Sequence, residues 1–151
     1  MPTDPTSTDA QIIMQLYDLR REAEMRKARN WIMGEFWPNS VDDLRRILMA
    51  FPSQENNWYR QVLGYWDMAA SFVVRGVLNA DLFFDSSGEM YFIYAKLKPF
   101  IQPLRQEFQS PEFLANVEKV AEATPETRER TARLQERIAA FRQRMLAKAA
   151  K

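Results

Sequence analysis

Apolar residues recur along this chain at steps of three and four, the spacing of one helix face. Ile12, Leu16, Leu19 and Ala23 share such a face in a segment predicted from about Ala10 to Phe36. Ser7, Thr8 and Asp9 stand before it as candidate N-caps. Glu22 precedes Arg26 by four residues, the order that supports a helix. Trp31, Ile32, Phe36 and Trp37 widen the apolar end before Pro38 stops it. A second helix opens at Ser40, with Asp42 and Asp43 where the helix dipole favours acids. Val41, Leu44, Ile47, Leu48 and Phe51 are its expected core face, and Pro52 ends it. The third helix is the most apolar and is expected to be central. It carries Trp58, Val62, Tyr65, Trp66, Ala69, Phe72, Val73 and Gly76 at helical spacing. Gly64 within it predicts close contact with a bulky neighbour. Arg75, near its end, needs water, a carboxylate or a ligand.

The stretch "NADLFFDSSGEMYFIY", Asn79 to Tyr94, is open to two readings, a hairpin or two helices. Its second apolar run continues past Tyr94 at helical spacing, through Leu97, Phe100, Ile101 and Leu104. That is too long for an ordinary strand, and nothing else in the chain alternates with period two. Helices are therefore expected, with Asn79 as an N-cap and Gly88 as a stop. Pro99 and Pro103 predict a kink or a split. "SPEFLANVEKVAEA" predicts a helix capped by Ser110, with Pro111 in its first position. The last helix is expected to start the same way, from Thr124 and Pro125. Its narrow apolar stripe is Leu134, Ile138, Phe141 and Met145.

The fold class that follows is all-α: an irregular bundle of six or seven helices around the Trp58–Gly76 helix, with a long basic helix at the end. Residues 1–7 are expected to be a disordered arm, residues 8–123 a helical body, and residues 124–151 a charged helix. That helix docks on the body, on the first helix, or on a second copy of the chain.

Composition changes this picture little. Of 151 residues, 46% are hydrophobic and 27% charged, a globular balance. Net charge is +1, but the ends differ. From Glu126 onward eight bases oppose three acids, net +5, so the preceding part carries −4. A solvated face explains this, supported by Glu126–Arg130 and Glu129–Arg133 spacing. Nucleic-acid binding is the less favoured use, because no aromatic residues interleave with the bases. No apolar run reaches the ~18 residues of a membrane span. The polar start "MPTDPTSTDA" is unlike a signal peptide, so a cytoplasmic location is expected.

The run "VVRGVLNADLFFDSSGEMYFIYAKLKPFIQPLRQEFQSPEFLANVEKV", Val73 to Val120, resembles a family of small bacterial all-helical proteins of unknown function. Gly76 to Phe83, Ser87 to Glu89, Lys98-Pro99, Arg105 and "SPEF" from Ser110 carry the resemblance. It implies an all-helical fold and no particular chemistry.

The chain has no cysteine and no histidine. Disulfides, thiol catalysis and the commonest acid–base group are therefore excluded. Asp81, Asp85 and Glu89 lie four apart and would line up on one continuous helix as ligands for a hard cation. Gly88 interrupts that line, and helix capping is the plainer account. Ser71, Ser86 and Ser87 have no histidine to activate them, and "DSSGE" is not a nucleophile elbow. Four scattered glycines form no phosphate-binding loop. Trp31, Trp37, Trp58, Tyr59, Tyr65, Trp66, Tyr91 and Tyr94, with Arg60 and Arg75 nearby, could line an inter-helix ligand pocket, though aromatics at this spacing are more often core. No catalytic, cofactor-binding or metal-binding residue is assigned, and no cofactor is expected. The first expectation is a non-enzymatic interaction or regulatory domain, with a protein partner or self-association. A small-molecule binder with an aromatic pocket is the alternative.

Overall fold

In the computed structural model, which describes residues 4–151, the chain folds into eight α-helices and one π-helical turn, with no strand among the described residues. The order is α1 (Ser7–Arg20), α2 (Ala23–Asn30), the π-turn (Trp31–Glu35), α3 (Val41–Met49), α4 (Gln54–Val74), α5 (Ala80–Ser86), α6 (Gly88–Glu107), α7 (Ala115–Ala121) and α8 (Pro125–Ala149). The all-α bundle is as expected. "NADLFFDSSGEMYFIY" forms two helices, α5 and the start of α6.

The first predicted helix is broken into three pieces. Glu22 adopts extended backbone, and its carboxylate accepts from the Met25 N–H to start α2. The break re-aims the apolar face. Leu16 is buried, but Leu19 and Ala23 are exposed, and Met25, Ala28 and Ile32 take their place in the core. The cap of α1 falls on Thr6, whose hydroxyl and backbone N–H pair reciprocally with Asp9. Asp9 also accepts from the Asn79 N–H at 2.9 Å, tying α1 to the head of α5.

α3 begins at Ser40 as expected, but Phe51 lies past its end and is 66% exposed. α4 packs against α2, the π-turn, α3 and α7. Its buried side runs through Tyr59, Val62, Leu63, Trp66, Ala69 and Ala70, so Trp58, Tyr65, Phe72 and Val73 are only partly covered. Gly64 is exposed, and a Cβ there would meet nothing within 4 Å, so no bulky neighbour requires it. Gly76 closes α4 with φ +74°. The Val77 N–H reaches back to the Phe72 carbonyl at 2.9 Å, a helix end that suits glycine.

α6 is buried from Met90 to Leu104 and shares the central role with α4. It runs unbroken through Pro99 and Pro103. Both prolines are exposed, where a carbonyl without a helical donor can be solvated. Gly88 is the first residue of α6 rather than a stop. α7 starts later than Ser110 predicts. Residues 111–114 form a turn that ends on Leu114 in the left-handed region, φ 52°. The cap comes from α4: the Asp67 carboxylate accepts from the Asn116 and Val117 N–H groups at 3.0 and 3.1 Å. α8 is capped by Thr124 with Pro125 in the first turn and lies along α6. Thr127, Thr131 and Ile138 are buried beneath it, while Phe141 and Met145 are 39% and 42% exposed.

Candidate functional site

The docking of α8 leaves three openings along its length. The first lies at its head. It is a cavity of about 560 Å³ between the ends of α4 and α7 and the starts of α5 and α8. Val73, Phe84, Tyr91 and Val120 form its apolar wall, and Asp81, Lys119 and Glu126 supply charge. None of these three makes an ion pair within 4 Å among the described residues. Each also sits where its own helix dipole favours it: Asp81 and Glu126 in first turns, Lys119 in a last turn. Burial pushes the Tyr91 hydroxyl up to about 12, aided by Glu126 and opposed by Arg130. Tyr91 is therefore a neutral hydrogen-bonding wall at ordinary pH.

The second opening lies two turns along. It holds about 290 Å³ and is lined by Gly88, Arg130, Arg133, Leu134 and Arg137. The third, about 470 Å³, runs between the π-turn and the later turns of α8. Trp37, Phe92 and Phe141 form its aromatic floor, with Arg137 and Arg144 at its sides. Trp37 lies 4.6 Å from Phe141 and meets Phe92 edge-on at 6.0 Å, centroid to centroid.

Behind that floor is Lys96, 1% exposed. Its ammonium group donates to the Ile32 carbonyl and, at 2.7 Å, to the Phe36 carbonyl. The wide π-turn, closed by the Phe36 N–H to the Trp31 carbonyl, brings both acceptors to one place. The Trp37 ring covers a further side at 4.7 Å. Burial, together with Arg142, pushes Lys96 down to about 7. Arg142 donates to the Pro38 carbonyl at 2.6 Å, and its own affinity for a proton is lowered by burial. Lys96 lies inside the apolar run of α6. The run itself hinted at burial, but its acceptors lie some sixty residues away and no local pattern points to them.

The candidates named from sequence fall out differently. Asp81, Asp85 and Glu89 do not converge, and no metal-sized cluster of acids exists among the described residues. Glu89 is committed to Arg29, at 2.8 Å, and accepts from the Trp66 indole at 3.1 Å. Asp85 is exposed, and neither it nor Ser87 caps α6 through its side chain. Arg75 is the exposed C-cap of α4, beside Val73 and Val74 of the first cavity but not in its wall. Of the aromatics, Tyr91 lines that cavity. Trp66 and Tyr94 are core, and Tyr59, also core, lines a separate surface pocket with Arg60.

A family described as a domain of unknown function, DUF4760, matches residues 5–124. The chain belongs to that family. No curated protein and no solved structure matches it. The DUF4760 match spans α1 to α7 and stops one residue before α8. It thus includes the body side of all three openings, and the α8 side lies beyond it.

Proposed function

We propose that this DUF4760 domain is a non-enzymatic binding domain for a small molecule, held in the cavity at the head of α8. One observation carries the reading: an inter-helix space of about 560 Å³ that combines an aromatic and aliphatic wall with three ionisable side chains outside any ion pair. That is the size and chemistry of ordinary ligand sites. Two carboxylates, Asp81 and Glu126, outnumber the one amine, Lys119. The preferred ligand is therefore apolar, with a cationic or hydrogen-bond-donating end. Occupancy would join five helices and serve a regulatory role by fixing α8 on the body.

The test is thermal unfolding against a panel of apolar primary amines, with Ala123→Trp as control. Ala123 is an exposed loop residue in the cavity wall, so tryptophan there fills the space without entering the core. A ligand should raise Tm by mass action in the native chain and have little effect on Ala123→Trp. Equal shifts in both, or none in either, would refute the reading.

A second reading, protein interaction, is supported by the far end of α8. Phe141, Met145 and Leu146 there are 39%, 42% and 65% exposed.

A further inference from the structure

We propose that the second opening, between α8 and the start of α6, binds a phosphate-like oxyanion. This site is separate from the first cavity and does not depend on the reading given to it. Arg130, Arg133 and Arg137 follow one another at steps of three and four on α8 and line one pocket of about 290 Å³. Three guanidinium groups around one small space repel one another unless negative charge lies between them. The protein supplies little. Arg130 has no carboxylate within 4 Å, Arg137 has none, and Arg133 reaches only the exposed Glu129 at 3.8 Å.

The opposite wall adds to the same sign. It is formed by Gly88, the first residue of α6, a helix of 20 residues. Its first turn points partial positive charge at the arginines. No side chain caps it, and the Gly88, Glu89 and Met90 N–H groups have no acceptor among the described residues. Glu89, the acid of that turn, is turned away into its bonds with Arg29 and Trp66. The Ser87 hydroxyl at the same turn is fully buried and has no partner. Positive charge thus meets from two sides, with no carboxylate in the lining of the pocket.

One arginine is already set in place. The Arg130 guanidinium lies 4.4 Å from the Phe84 ring and 4.6 Å from the Tyr91 ring, and donates to the Phe84 carbonyl at 2.6 Å. A planar fork held in this way suits two oxygens of a tetrahedral anion. Gly88 keeps the approach open. A Cβ there would lie 3.2 Å from an Arg130 nitrogen, so alanine would press on the fork. A dianionic phosphate group, free or as a monoester of a small molecule, matches three arginines and a helix start better than a monoanionic carboxylate does.

The experiment is titration of the full chain with inorganic phosphate at constant ionic strength, followed by calorimetry and by phosphorus NMR line width. Arg133→Gln with Arg137→Gln is the test variant. Both side chains are exposed and hold no other element, so it should fold. Arg144→Gln with Lys148→Gln removes the same charge from the same helix outside the pocket. Saturable binding that falls at least tenfold in the test pair and is kept in the control pair supports the site. Glucose 6-phosphate binding as tightly as phosphate would support a monoester headgroup. Tighter binding of phosphate would support the free ion. Loss of the same size in both pairs, or no saturable response, would overturn the proposal.

Discussion

Lys96 is held by two carbonyls around the π-turn and the Trp37 ring and is opposed by the Arg142 cation, all far from it in sequence. Its titration gives a signed prediction. The folded value is about 7 against 10.5 for the free side chain, so between those values the unfolded chain holds a proton that the folded chain lacks. Stability then rises with pH across that window, by up to about 1.4 kcal/mol per unit. Above pH 10 the trend reverses. Burial holds Tyr59, Tyr91 and Tyr94 protonated in the fold while unfolded tyrosines ionise. Urea unfolding from about pH 6.5 to 11 checks both the rise and the reversal. Lys96→Met should flatten the slope and so cost more at pH 9 than at pH 6.5, on top of roughly 1–3 kcal/mol for each of the two buried carbonyls it strands. A mutant with the native slope would show that Lys96 is charged throughout. Gly64 runs the other way. It is helical, exposed and without close neighbours, so Gly64→Ala should stabilise by about 0.5–1 kcal/mol in the same assay. From sequence Gly64 predicts a packing contact, because a lone glycine in an apolar helix looks the same whether it faces a neighbour or water. Only the face decides, and Gly64 lies opposite Val62 and Trp66, which are buried.

Among the elements, those with caps next door were legible and those capped from afar were not. Ser40, Asn79 and Thr124 each accept from the N–H three residues on, and the helices begin where those residues predict. The start of α7 is set by Asp67, some fifty residues earlier, so Ser110 misled. The break at Glu22 was hidden for a similar reason. The helix period continues through it, and the turn is worthwhile only because it brings Met25 and Ala28 into the core. The stripe on α8 was read correctly as narrow, but its partner is α6. Ending the chain at Ala123 would uncover Tyr91 and the α6 face under Ile138. The truncated chain should lose several degrees of Tm and aggregate at concentrations where the full chain does not, seen by light scattering. A truncated chain that unfolds as the full one does would show that α8 is an appendage.

Across the whole molecule, packing is dense through α4 and α6 and opens along the seam under α8. That seam could not be read from sequence. Its three openings depend on which face α8 lays down, and the arginines that looked like a solvated face line two of them. Of the aromatics expected to line a pocket near Arg75, Tyr91 alone lies in the wall of the cavity beside Val73 and Val74, and Arg75 does not. The central claim is that the space at the head of α8 holds a ligand. Crystals of the full chain soaked with small apolar amines would test it most directly. Electron density is expected against Phe84 and Tyr91, with the amine turned to Asp81 or Glu126. Fragments that bind only elsewhere, with this cavity clear at millimolar concentration, would contradict it.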